Sequence, residues 1–118
     1  MSVKAIPDGY HSVTPYLAVD GAAKAIDWYV RALGATELFR MERDGKIGHA
    51  EIKIGDSPLM LAHEHPEMGH IGPKTRGGAT ASFMVYVEDV DAAFRRAIEA
   101  GATEAQPVED KFYGDRSG

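Results

Sequence analysis

Cysteine is absent from the 118 residues. That excludes disulfide frameworks, thiolate zinc sites and cysteine nucleophiles, and it permits a reducing cytosol. Long apolar runs are missing as well. Nothing approaches the ~18 residues of a membrane span, and the N-terminal MSVKAIPDGYHS lacks the apolar centre of a signal peptide. The expectation is a cytoplasmic protein with no membrane partner. A basic surplus is also lacking: 13 Lys+Arg against 18 Asp+Glu leave a net charge of −5, and Arg95-Arg96 is only a pair among scattered cations. A phosphate backbone needs clustered positive charge, so nucleic acid is not an expected partner. There is no GxxxxGK or GxGxxG pattern to cradle a phosphate, and Ser57 and Ser82 lack the setting of a nucleophile elbow.

What is present fits one globular domain. Apolar residues make up 44% of the chain, too many for a disordered segment and enough for one core. Two stretches echo each other. Tyr16-Leu17-Ala18-Val19-Asp20 precedes an amphipathic segment that ends in Gly34-Ala35-Thr36-Glu37. Met84-Val85-Tyr86-Val87-Glu88-Asp89 precedes another, ending in Gly101-Ala102-Thr103-Glu104. The strands are offset by 68 positions and the tetrapeptides by 67. A strand–helix–Gly–strand order that recurs in this way reads as an internal duplication.

The first copy predicts a strand from Thr14 to Val19, with Asp20 placed to cap a helix. Ala22, Ala25, Ile26, Tyr29 and Leu33 then recur at helical spacing, and Gly34 can take the left-handed conformation that stops the helix. Trp28 and Tyr29 are neighbours and cannot share one face, so one packs inward and the other lies at a rim or subunit contact. Three strands follow: Thr36–Met41, Ile47–Ile54 and Pro58–His63. Asp44-Gly45 is a hairpin turn and Gly55-Asp56 a second tight turn. In the second copy Asp89 caps, Val90, Ala93, Phe94, Ala97 and Ile98 form the apolar stripe, and Gly101 closes the helix. This gives an α+β fold of paired βαβββ modules with curved mixed sheets. Module one covers 12–63, a Pro- and Gly-rich linker read as a mobile connection covers 64–79, and module two covers 80–118. Module two is about two strands short, so the reading treats it as truncated at the C-terminus, with the missing strands beyond Gly118 or supplied from elsewhere. Unpaired sheet edges invite a second copy, and strand exchange in a homodimer is one form this could take.

The paired units resemble the vicinal oxygen chelate superfamily, the glyoxalase, bleomycin-resistance and ring-cleavage dioxygenase group. Thr14-Pro15-Tyr16-Leu17-Ala18-Val19-Asp20-Gly21-Ala22-Ala23, His49-Ala50-Glu51-Ile52-Lys53-Ile54-Gly55-Asp56-Ser57 and Phe112-Tyr113-Gly114-Asp115-Arg116-Ser117-Gly118 are similar to its PhnB-like branch. The resemblance implies a dimer with curved sheets around a small-molecule cavity, often with a divalent metal. Metal-using relatives place a His where this chain has Thr14, a His or Gln where it has Ser82, and a carboxylate where it has Met60. Hydroxyls are weak ligands for a transition metal and a thioether suits only soft ones, so neither a metal nor another cofactor is expected. Glyoxalase and extradiol chemistry both need that ion as a Lewis acid.

The expected function is binding of a small molecule between the two modules. Strand alternation puts Thr14 and Tyr16 on one wall, and Ser82 and Tyr86 on the matching wall. His49 and Glu51 share one face of their strand, where a His–carboxylate pair can fix a tautomer and supply a base, or can simply be a solvated face. These six residues are the candidate ligand contacts, and no catalytic residue is assigned. His63, His65 and His70 form a His-rich loop that does not have the helical HExxH spacing; it reads as a surface loop or a flap over the pocket. Two other functions stay open. One is a metal-dependent lyase or dioxygenase that uses non-standard ligands such as His49 and Glu51. The other is a non-catalytic protein, either a resistance-type sequestering binder or a fragment known only by its assembly. In the C-terminal stretch, Asp110, Asp115 and Arg116 are expected to fray.

Overall fold

Ile26, Ile47, Ile52 and Leu61 are the largest side chains fully withdrawn from water. Together with Ala22, Ala35, Ala50 and Leu59 they form the core between one helix and one sheet. Burying each large aliphatic side chain contributes about 1.5–3 kcal/mol. The computed structural model describes residues 3–118. The sheet contains β1 (Tyr16–Val19), β2 (Thr36–Arg43), β3 (Lys46–Ile54) and β4 (Ser57–His63), in the order β1-β4-β3-β2. β1 runs parallel to β4, and the other two pairs are antiparallel, so the sheet is mixed. α1 (Ala22–Leu33) covers one face, with Leu17, Val19 and Tyr29 packed at the edge of the core. Burial pushes the Tyr29 phenol above its usual range.

Local chemistry explains most of the boundaries. Asp44 and Gly45 take φ values of 54° and 76°, the doubly left-handed turn that matches the twist of a two-residue hairpin. Gly34 ends α1 at φ 68°, and its N–H bonds to the Tyr29 carbonyl. The start of α1 differs from expectation. Gly21, not Asp20, occupies the N-cap; at φ 79° it turns the chain off β1, and no side chain caps the helix. The Gly21 N–H instead donates to His63 Nδ1 at 3.2 Å. β1 begins at Tyr16 rather than Thr14, although the Pro15 carbonyl still accepts from the Met60 N–H at 2.9 Å. β3 contains an extra residue at Gly48 opposite the Met41–Glu42 step. This bulge breaks the two-residue alternation and turns Ile47 into the core, although His49, two positions on, faces the other way.

The second copy forms only partly. α3 (Val90–Glu99) starts as predicted, with Asp89 Oδ1 accepting from the Ala92 N–H at 3.0 Å. The expected strand at 82–87 does not form: the segment has no ladder partner among the described residues. β propensity cannot be expressed as a strand without a neighbour to bond. For the same reason no residue of the α3 stripe is fully buried, because no sheet lies under it. α3 packs instead on α1. The contact is reciprocal: Trp28 Nε1 donates to the Ala100 carbonyl at 2.9 Å, and Arg96 donates to the Arg31 and Val30 carbonyls at 2.7 and 3.2 Å. Trp28 and Arg96 lie 68 positions apart, the offset of the repeat. A short hairpin of β5 (Glu109–Asp110) and β6 (Arg116–Ser117) follows. It is anchored rather than frayed: Arg116 makes two bonds to Asp91, at 2.9 and 3.0 Å, and one to Asp110 at 3.0 Å. That guanidinium holds the Asp91 carboxyl below its usual range.

Candidate functional site on the open sheet face

The face of the sheet away from α1 carries one transverse row. Tyr16 pairs with Met60 across β1 and β4, Met60 with Glu51 across β4 and β3, and Glu51 with Phe39 across β3 and β2. Paired residues share a face, so the row runs Tyr16–Met60–Glu51–Phe39. His49 stands beside it, opposite Met41. Phe39 reaches this row because β2 carries an extra residue at Leu38, which shifts its register against Glu51.

Hydrogen bonds join the three polar residues of this face to one another and to Tyr10, which lies before β1. Tyr16 Oη lies 2.8 Å from His49 Nδ1. His49 Nε2 lies 2.9 Å from Glu51 Oε2, and the Tyr10 hydroxyl donates to Glu51 Oε1. An ionised carboxylate only accepts, so His49 carries its proton on Nε2 and presents Nδ1 as the acceptor for the Tyr16 hydroxyl. The side chains of His49 and Glu51 are 22% and 23% exposed, whereas Tyr16 is 45% exposed and forms the wet end of the chain. Aromatic rings frame it. Phe39 is 6.0 Å from the His49 ring, and the His70 ring meets Tyr16 edge-on at 5.3 Å.

His70 arrives on a structured loop. His65 and His70 form a bridge, with His65 N–H to the His70 carbonyl at 2.7 Å, around a 3-10 turn at Pro66–Met68. Gly72 then presses against β1, where a Cβ would lie 2.9 Å from the Ala18 carbonyl. Its N–H donates to Glu64 Oε1 at 2.7 Å. Bonds from the Thr75 hydroxyl and the Gly72 amide, with His63 close by, hold the Glu64 carboxyl below its usual range. The segment expected to be a mobile connection contains a 3-10 turn and the short helix α2 (Pro73–Arg76), and it is tied to β1.

Of the six expected contacts, Tyr16, His49 and Glu51 meet. Thr14 is half-buried just before β1 and has no side-chain hydrogen bond among those described. Tyr86 is in no ladder among the described residues. It lines an open groove of about 990 Å³ beside the C-terminal end of α1, with Phe83, Val85, Phe94 and Ala97. Ser82 is exposed on the same unpaired segment. Among the described residues no ladder joins 82–87 to the four-stranded sheet, so the second of the two expected walls lies outside that sheet. Sequence reasoning missed Tyr10 and Phe39, and named His70 only within the His-rich loop read as a surface loop or flap. Tyr10 and His70 come from loops without periodicity, and Phe39 reaches the row through a bulge.

A divalent-metal site does not fit these side chains. Both His49 nitrogens and both Glu51 oxygens are already bonded to protein groups, and Thr14 and Met60 are poor donors. Among the described residues no group of three or more His, Asp or Glu side chains is placed to hold an ion.

A family model described as the Glyoxalase/Bleomycin resistance protein/Dioxygenase superfamily matches residues 9–118. The chain belongs to this superfamily. Its relatives include Mb0911c of Mycobacterium bovis, 42% identical over 111 residues, which cover 91% of this chain and 73% of that protein. Rv0887c of Mycobacterium tuberculosis is equally similar, and there the match covers 65% of the relative's length. The crystal structure of TioX from Micromonospora sp. ML1 superimposes with a TM-score of 0.68 at 33% identity, covering 90% of this chain and 82% of TioX. An Arabidopsis thaliana gene product superimposes with a TM-score of 0.67 at 19% identity, over 83% of this chain and 79% of that one, which shows the shared fold alone. Superfamily membership thus agrees with the α+β architecture and its mixed sheet. No helix among the described residues is long and apolar enough to cross a membrane.

Proposed function

We propose that this superfamily member, of the PhnB-like branch, binds a small molecule on the open sheet face, against Tyr16, His49, Phe39 and His70. The observation that carries the reading is the Tyr16–His49–Glu51–Tyr10 chain set among aromatic rings. An apolar floor with a few fixed polar groups is how protein sites orient small ligands. Thr14 stands at the edge of this face. Ser82 and Tyr86 join it only if a second sheet closes over it.

The same reading includes a homodimer. Phe83, Met84 and Tyr86 are 53%, 69% and 81% exposed on a segment without a ladder partner, and a strand from a second copy supplies both the missing bonds and the apolar cover. A cytoplasmic location agrees with the cysteine-free sequence.

Ligand-observed NMR with a panel of small aromatic and carbonyl compounds tests the binding site. Binders are expected to perturb the backbone signals of Tyr16, Phe39, His49 and His70, and to be lost in Tyr16→Ala. Perturbations confined to the groove beside α3 would place the ligand elsewhere and overturn the reading.

A further inference from the structure

We propose that Tyr16 is a reactive phenol whose oxygen attacks an electrophilic acyl carbon while His49 takes up its proton, so that this face accepts small activated acyl compounds. The inference rests on the ligand-binding reading of the same face and adds the chemistry of its reacting group.

The donors and acceptors of the chain assign the roles. Glu51 has two carboxylate oxygens, one receiving the Tyr10 hydroxyl and the other facing His49 Nε2 at 2.9 Å. The first bond holds the carboxylate in place, and the second fixes which ring nitrogen bears hydrogen. Nδ1 is left with a lone pair directed at the Tyr16 oxygen, 2.8 Å away. That separation lies within the reach expected of a working base and nucleophile. The order hydroxyl–imidazole–carboxylate is that of an activated nucleophile on unrelated folds, here with a phenol as the hydroxyl. The polarity also has one direction only. The carboxylate end is bonded by Tyr10 and the imidazole and carboxylate side chains are only 22% and 23% exposed, so Tyr16, at 45%, is the more open end of the chain to an incoming molecule. The His70 ring packs edge-on against the Tyr16 ring and the Phe39 ring lies beside His49, so aromatic rings flank the Tyr16–His49 pair where an acyl group can rest.

The step balances without a co-reactant. The Tyr16 oxygen forms a bond to the acyl carbon and its proton passes to His49 Nδ1. The bond from the acyl carbon to the leaving group breaks, and the leaving group takes the proton from His49. The products are O-acyl Tyr16 and the protonated leaving group, with His49 back in its starting form.

N-acetylimidazole is a suitable probe because it acetylates phenols and releases imidazole. Peptide mapping by mass spectrometry gives the rate at each tyrosine in the intact protein. Exposure alone predicts that Tyr86, 81% exposed, and Tyr113, 60% exposed, react before Tyr16 at 45%. The proposal predicts the reverse order, with Tyr16 faster by about a hundredfold, the lower range for a positioned base. This comparison within the wild-type chain needs no variant. In His49→Gln the advantage is expected to vanish, and in Glu51→Gln to shrink, while the rates at Tyr86 and Tyr113 stay unchanged. Tyr16 reacting no faster than Tyr86 and Tyr113 overturns the proposal, as does a fast rate that survives His49→Gln. Slow acetylation of Tyr16 beside normal compound binding overturns the reactive phenol and leaves the ligand reading standing. Fast acetylation without any binder supports the reactive phenol and overturns the ligand reading.

Discussion

Arg96 and Trp28 each complete the end of the other's helix. The last carbonyls of a helix have no partner within it, and a cation there also meets the negative end of the dipole. Arg96→Ala leaves the Val30 and Arg31 carbonyls to water, and at this exposed position it should cost about 1 kcal/mol. Urea unfolding should show a lower midpoint with an unchanged slope. Leu61→Ala is expected to cost far more, about 2–5 kcal/mol, because Leu61 is fully buried in the core. A midpoint shift no larger than that of Arg96→Ala would contradict the packing described. Residue chemistry was legible in the sequence wherever the backbone itself demanded a residue type. Gly34 and Asp44-Gly45 sit where left-handed angles are required, and Asp89 caps because its carboxylate reaches the Ala92 amide. Asp20 failed as a cap because the neighbouring glycine took the turn. His49 and Glu51 were legible as neighbours at i and i+2, but their partners Tyr10 and Tyr16 depend on how distant segments fold back.

Among the elements, the loop from Glu64 to Gly72 has the most to do, because it brings His70 to Tyr16. Gly72→Ala pushes a methyl group against the Ala18 carbonyl, so the loop must move away from β1. The expected outcome is loss of the ring contact between His70 and Tyr16, read as lost nuclear Overhauser effects, with the core signals unchanged. The Glu64 clasp adds a pH dependence. Its carboxyl is held below the usual range, so the clasp is complete above the ordinary carboxylate value and is lost as pH falls through the depressed one. The Gly72 amide signal should therefore titrate at lower pH than an ordinary glutamate. Titration in the ordinary range would show that the clasp does not form. Composition showed this segment only as rich in Pro and Gly, because its order comes from bonds to β1 and not from a repeat in its own residues. The bulge at Gly48 was equally hidden. A strand's face is inferred from alternation, and one inserted residue resets the count, which is how Ile47 came to be buried.

For the whole molecule, the surface says most. The chain exposes 8758 Å². A compact monomer of this mass would expose about 6,300 Å². The radius of gyration is 16.0 Å, against about 13.5 Å for a compact chain of this length. The excess of roughly 2,500 Å² exceeds the ~800 Å² that each partner contributes to a standard interface. Its apolar part includes Phe83, Met84 and Tyr86. Light scattering coupled to gel filtration should give twice the 12.8 kDa chain mass, and Met84→Lys with Tyr86→Lys should shift the protein toward monomer. A wild-type monomer at micromolar concentration would remove the homodimer. The twin tetrapeptides and their offset made α3 legible, and that helix forms. They do not tell whether the second wall closes, since that depends on strands pairing and not on local sequence.

The crossed helix endings also bear on how the chain can be divided. Each half supplies the finishing group that the other lacks, so neither carries a complete set. Cleavage between Gly77 and Gly78 should give a larger piece that melts at a lower temperature than the intact chain. Adding back the 78–118 peptide should restore it by complementation, in proportion to peptide concentration.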